Sequence, residues 1–158
     1  MEEFENLKLK DKRLYHAACL LHDTTWKSHP DYRAEVSFET VTRANLGGID
    51  HAGRLFLALA LMSRYKKISV SKNINDILSI LTSSRYEEAI ILGRAMRLGA
   101  MLSGTSVVNL KRSQIMREKN TLKLTLSKSA ASLVGEAVER RLTTLAEGMN
   151  LASSIEVL

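Results

Sequence analysis

The sequence predicts a mainly α chain that ends in a small α/β part. Two observations predict this. Up to about residue 103 the apolar residues recur at helical spacing, and the segments are punctuated by glycines and capping side chains. Beyond residue 104 the pattern changes to alternating, β-branched stretches around a turn, followed by one more helical stripe. The expected organisation is a helical domain over 1–103 and a small ββαβ domain over 104–158, with no internal repeat and no low-complexity segment.

Each element has its own warrant. Residues 1–10 are polar and expected to pack little. Asp11 is placed to cap a first helix carrying Leu14, Ala17, Ala18, Leu20 and Leu21 toward a core. Thr24 to Ser28 reads as a loop. Pro30, the only proline, suits the first turn of a second helix, where its missing N–H costs nothing. That helix shows Tyr32, Val36, Val41 and Leu46 among polar residues and is stopped by Gly47-Gly48. Asp50 caps a third helix, His51 to Lys67, whose face from Leu55 to Met62 is densely apolar. A short fourth helix is expected over Ile74 to Leu81, and a fifth from about Arg85 to Ser103 with Gly104 as its stop. Ser106 to Met116 and Thr121 to Leu126 then read as a hairpin around Glu118-Lys119-Asn120, with Leu122, Leu124 and Leu126 on one side. A last helix, about Ser129 to Glu147, carries Leu133, Val134, Ala137, Val138, Leu142 and Leu145, and Ser153 to Leu158 closes as a strand.

The 158 residues suffice for one ordinary domain or two small ones, and 45% apolar with 25% charged residues is the balance of a soluble globular protein. Twenty-three Lys and Arg against 17 Asp and Glu give +6, which suits solubility or a polyanionic partner: nucleic acid, polyphosphate or a highly phosphorylated nucleotide. The single Cys19 makes no internal disulfide and lies in an apolar helix, so a reducing, cytoplasmic setting is expected and a thiol nucleophile is not. The acidic N-terminus does not read as a signal peptide, and the run Leu55 to Met62 is too short to span a bilayer, so no membrane is expected.

The stretch LYHAACLLHDTTWKSHPDYR, Leu14 to Arg33, carries the sharpest chemistry. His22-Asp23 puts an imidazole beside a carboxylate, a pair suited to a divalent metal, which needs three or more converging ligands. His16 lies about 240° around the helix from His22, whereas His29 and His51 could approach from other elements. The plain alternative is that the pair caps or packs a helix end. Arg64, Lys66 and Lys67 end the third helix, where positive charge also interacts favourably with the helix dipole. Arg33, Arg43 and Arg54 come from elements expected beside it, and with His29 they could line a groove for a chain of phosphates gripped without base reading. Aromatics are only 5% of the chain, which argues against base-stacking platforms. No P-loop, dinucleotide turn or zinc-ligand spacing is present, and Met96 and Met101 sit as core residues would.

Four stretches in order, LYHAACLLHDTTWKSHPDYRAE, ANLGGIDHAGRLFLALALMSRYKK, LGRAMRLGAMLSG and KLTLSKSAASLVGEAVERRLTTLAEGMNL, resemble the C-terminal part of the exopolyphosphatase / guanosine pentaphosphate phosphohydrolase (Ppx/GppA) family. The resemblance implies an HD-like helical domain over 1–103 and a small α/β domain over 104–158. It also implies a role in holding long polyphosphate and in building a homodimer. His29 falls in the stretch matching the family's His-containing loop, and Arg64, Lys66 and Lys67 match its basic helix end. That family's catalysis lies in two actin-like domains with glycine-rich phosphate loops, which have no match in this sequence; encoded separately, they would be a further partner. The expectation is therefore a polyphosphate-binding, dimer-forming region inactive by itself and without a cofactor. The alternative is a stand-alone HD-type phosphohydrolase with Mg²⁺ or another divalent ion at His22 and Asp23.

Overall fold

A computed structural model describes residues 12–66, 72–104 and 106–158, and for Lys72 and Asn73 the backbone alone. The expected cap at Asp11, the polar segment 1–10 and Lys67 lie outside the described residues. The chain forms seven α-helices and three strands among the described residues: α1 Lys12–Leu21, α2 Arg33–Arg43, α3 His51–Tyr65, α4 Lys72–Leu78, α5 Ser83–Ser103, α6 Val107–Leu110, β1 Ser113–Glu118, β2 Thr121–Leu126, α7 Glu136–Gly148 and β3 Ala152–Val157. It is mainly α with a small α/β part, as the sequence predicts. Two compact units divide it at residues 96 and 97, inside α5.

In the unit formed by residues 12–96, α3 is the centre. Every residue from Leu55 to Met62 is at most 1% exposed, so this helix is covered on all sides rather than along one stripe. Asp50 starts it as the sequence predicts: its Oδ1 accepts a hydrogen bond from Gly53 N at 2.7 Å. α2 runs back along α3, joined to it by the link 44–50. It presents Ala34, Ser37, Phe38 and Val41, an i, i+3, i+4, i+7 stripe. α5 crosses α3 at Gly93, where backbones meet. A Cβ there would lie 1.8 Å from Ser63 Oγ and 2.3 Å from the Ala60 carbonyl oxygen. α1 adds Leu14, Tyr15 and Ala18. Tyr15 packs edge-on to Phe56, with ring centroids 5.8 Å apart, and its hydroxyl donates to Glu88. Arg85 pairs with Glu88 at 2.9 Å and lies 4.6 Å from the centroid of Phe56. The Tyr15–Phe56 ring pair, the Tyr15–Glu88 hydrogen bond and the contact of Arg85 with the Phe56 ring thus tie α1, α3 and α5 together.

Several boundaries differ from the sequence pattern. Leu20, expected in the core, is 80% exposed, because it lies about 240° around α1 from Leu14. Pro30 opens a short 3₁₀ turn, Pro30–Tyr32, ahead of α2, and Tyr32 and Val36 face outward. α2 stops at Arg43, short of Leu46, as Ala44 turns extended; Gly48, with φ +71°, serves the link rather than the helix end. α4 begins earlier than expected and ends at Leu78. α5 starts at Ser83, with Thr82 Oγ1 accepting from Arg85 N. Gly104, φ +55°, terminates it as predicted.

In the unit of residues 97–158, the sheet order is β1-β2-β3, with β1–β2 antiparallel and β2–β3 parallel through the α7 crossover. Leu122, Leu124 and Leu126 are buried on one face of the central strand, as their alternation predicts. Thr143 of α7 meets Ser153 of β3 at 3.0 Å on that same face. On the opposite face Lys123 bridges Glu156 at 2.7 Å and Glu118 at 3.5 Å, and the bond to Glu156 holds its ammonium above the usual lysine value. The hairpin turns at Lys119-Asn120, with Lys119 at φ +51°.

The first strand is shorter than expected. Ser106 Oγ accepts from Val108 N and starts α6, so Val107 and Val108 are helical and exposed. The last helix is broken. Residues Lys128–Leu133 form a 3₁₀ segment, Val134 and Gly135 are extended, and α7 begins only at Glu136. A glycine and a β-branched valine in succession are poor helix formers, and the break resets the stripe to Val138, Leu142, Leu145 and Ala146. Ala137 is consequently exposed, with Leu133 and Val134 half-buried. Among the described residues no helix is long and apolar enough to cross a membrane.

The α3–α5 crossing gives a paired test in one helix. Gly93→Ala forces a methyl into backbone and should destabilise the chain by about 3 kcal/mol or more. Gly99→Ala, whose Cβ meets nothing within 4 Å, should stabilise by up to about 1 kcal/mol through helix propensity. Urea midpoints of the two variants, moving in opposite directions, are the expected result.

Candidate functional site

The loop between α1 and α2 holds the residues that the sequence singles out, and the end of α3 pins it from inside. The His22 carbonyl accepts two hydrogen bonds, from Arg64 Nη1 at 2.7 Å and from the Tyr65 hydroxyl at 2.9 Å. The Thr25 hydroxyl, itself buried, donates to Tyr65 Oη at 3.2 Å. Arg64 also approaches Asp23 Oδ1 at 3.6 Å and lies 4.8 Å from the Tyr65 ring centroid. Its side chain is only 12% exposed. From the other side Arg33 donates through Nε to the Ser28 carbonyl at 2.9 Å and through Nη2 to the Trp26 carbonyl at 2.7 Å. Two guanidinium groups therefore do for this loop what a strand partner does elsewhere: they take up its carbonyls.

Lys66 forms an ion pair with Glu35 at the start of α2. This hydrogen bond is the main reason that the Glu35 carboxyl titrates below the usual glutamate value; partial burial opposes it, and the charge of Lys66 adds to it. Glu35 is 41% exposed, so water screens the pair.

His29 faces outward on the same loop, 66% exposed. Its Nδ1 accepts from Asp31 N at 3.4 Å and lies 3.7 Å from Asp31 Oδ2. Arg43 is at the far end of α2, paired with Glu39 at 3.6 Å, and Arg54 is in the first turns of α3, its Nη2 3.5 Å from His51 Nδ1. Since Glu35 meets Lys66 where α2 begins and α3 ends, Arg43 lies about 12 Å along α2 from that contact. Arg54 lies about 15 Å along α3 from Arg64. The structure thus gathers His22, Asp23, Arg33, Arg64 and Lys66 at one end of the helix pair and leaves Arg43 and Arg54 at the other. Lys67 lies outside the described residues.

His22 and Asp23 are neighbours with separate engagements: His22 Nδ1 is 2.6 Å from the Cys19 carbonyl oxygen, and the Asp23 carboxylate faces Arg64. Among the described residues no group of three His, Cys, Asp or Glu side chains gathers to hold a metal ion. Cys19 is half-buried, and burial pushes its thiol up, away from nucleophilic character. Tyr65, Thr25 and Glu35 complete the site and were not legible in the sequence. A tyrosine between two cations at a helix end gives no periodic signal.

The family model described as "Exopolyphosphatase, C-terminal" matches residues 5–154. The chain belongs to that family. No curated protein matches the chain.

Two outcomes follow from the pinned loop. In Arg64→Ala the amides of Thr24, Trp26 and Ser28, which close successive turns of this loop, should exchange with solvent markedly faster, read by hydrogen exchange. The Glu35 carboxyl is depressed in the folded chain, so its contribution to stability is present above the ordinary carboxylate range and lost as pH falls through the folded value. Glu35→Gln should flatten the acid limb of a urea-midpoint profile and leave the neutral-to-basic limb parallel to wild type.

Proposed function

We propose that this chain is a polyphosphate-holding, dimer-forming C-terminal region of an exopolyphosphatase-like enzyme, with an HD-like helical part. The family match over residues 5–154 carries this reading. The α1–α2 loop supports it in a specific way. Arg33 and Arg64 fix the loop's backbone, so His29 is presented from a rigid support rather than a mobile one. Lys66, 40% exposed, can share its ammonium between Glu35 and a phosphate oxygen, with its Lys67 neighbour as a second cation. Arg43 and Arg54, farther along the same helix pair, suit a ligand long enough to span that distance, as a phosphate chain is.

A site of this kind holds its ligand and does not turn it over. Phosphoryl transfer needs a positioned nucleophile and donors aimed at the charge that develops on the transferring group. Cations that grip ground state and transition state equally do not accelerate the reaction.

Long-chain polyphosphate should therefore bind residues 1–158 at low salt, with affinity falling linearly on a log–log plot as salt rises. Absence of binding at low salt would sink the holding role. With Mg²⁺ present the purified chain should release no phosphate. Turnover that disappears in His22→Ala or Asp23→Ala would replace this reading with a metal-dependent hydrolase. Sedimentation should show a dimer; a monomer at all concentrations tested would remove the assembly role alone.

A further inference from the structure

The cations nearest the expected groove are largely engaged within the chain, but a second set is not. In the unit of residues 97–158, segments 104–117 and 119–135 contain six Lys and Arg and no carboxylate. Near the hairpin turn this charge is matched in part: Lys123 bridges Glu118 and Glu156, and Arg117 Nε donates to the Lys119 carbonyl. At the other end of the sheet it is not. Lys111, Arg112 and Lys128 are exposed, and none enters an ion pair among the described residues.

The backbone brings these three together. Ser127 N donates to the Arg112 carbonyl at 2.9 Å, directly beyond the β1–β2 ladder, and Lys128 follows Ser127. Lys128 N in turn donates to the Leu158 carbonyl at 2.8 Å. The hydroxyls of Ser127 and Ser129 are 2.9 Å apart, so one donates to the other and the second keeps its hydrogen for an external acceptor. A guanidinium fork, two ammonium groups and a free hydroxyl hydrogen are the donor set that a phosphoryl group takes. A carboxylate at residue 158 would still leave the set net positive.

We propose that Lys111, Arg112 and Lys128, with the Ser127–Ser129 hydroxyls, form a binding subsite for the phosphoryl groups of a polyanion. The ligand class rests on the polyphosphate-holding reading above; the residues are different ones. With no ion pair among the described residues, these side chains bind without first giving up such a partner, which is the advantage they hold over Arg33 and Arg64.

The test is an amide chemical-shift titration of the full chain with inorganic tripolyphosphate at low salt, beside binding of long polyphosphate. Saturable shifts centred on residues 111–112 and 127–129 are expected. Arg112→Glu combined with Lys128→Glu should weaken tripolyphosphate binding about tenfold or more, and should lower the salt slope for long polyphosphate by about one per lost contact. Both positions are exposed, and circular dichroism checks that the variant folds. Shifts spread evenly over every basic position, or confined to residues 22–33 and 64–66, overturn the inference. If long polyphosphate binds wild type and the double variant equally, the subsite fails while the holding role stands. If long polyphosphate does not bind but tripolyphosphate shifts 111–112 and 127–129 saturably, the holding role fails and the subsite stands.

Discussion

Everything in the helical unit depends on the burial of α3. A helix with no exposed stripe from Leu55 to Met62 cannot lie on a surface, so α1, α2 and α5 must each cover part of it. One of these contacts is close, where Gly93 of α5 meets the Ser63 hydroxyl and the Ala60 carbonyl. No methyl group fits at Gly93, which sets how closely α5 lies against α3. The buried serines and the Tyr15 hydroxyl find partners, whereas Glu35 Oε2, Arg54 Nε and Arg64 Nε are buried without one. Ser63 donates to the Ala60 carbonyl, Ser37 to that of Ala34, and the Tyr15 hydroxyl to Glu88.

A buried helix has to emerge somewhere, and the emergence of α3 is where structure and chemistry meet. Arg64, Tyr65 and Lys66 form its last, half-buried residues. Arg64 and Tyr65 share the His22 carbonyl, Arg64 also facing Asp23 and Tyr65 also meeting Thr25, while Lys66 reaches Glu35. A basic helix end looks like a ligand site in sequence because unpaired charge and paired charge are written with the same letters. In the folded chain Arg64 orders the α1–α2 loop, and Lys66 pairs with Glu35 of α2. The functional consequence is indirect: the loop that carries His29 is held in one conformation by residues that do not themselves face outward.

What was legible follows a simple physical division. Features decided by neighbours in the chain were read correctly: the Asp50 cap, the Gly104 stop, the alternation of Leu122, Leu124 and Leu126, and the apolar run of α3. Features decided by what packs against an element were not. Leu20 has the right chemistry for the core but the wrong phase, and only the position of α3 relative to α1 sets the phase. The Ser129-to-Glu147 stripe looked continuous because Leu133, Val134 and Val138 fit a helical period, yet Gly135 lets the chain extend and restart. The site divides in the same way. The composition of the cation set was visible, whereas its separation into two ends of the α2–α3 pair depends on the antiparallel course of those helices.

The two cation sets also differ in what a polyanion would gain from them. Arg64 and Arg33 have surrendered water already, in favour of carbonyl oxygens, and a phosphate would have to displace those bonds and free the loop. Lys111, Arg112 and Lys128 remain hydrated and exposed, and counterion release drives a phosphate chain toward them without structural loss. Rigid internal cations shape a surface, and hydrated external ones do the gripping. A region built on that division suits long, repetitive ligands, since hydrated contacts are individually weak, add along a chain, and release one at a time as the ligand moves.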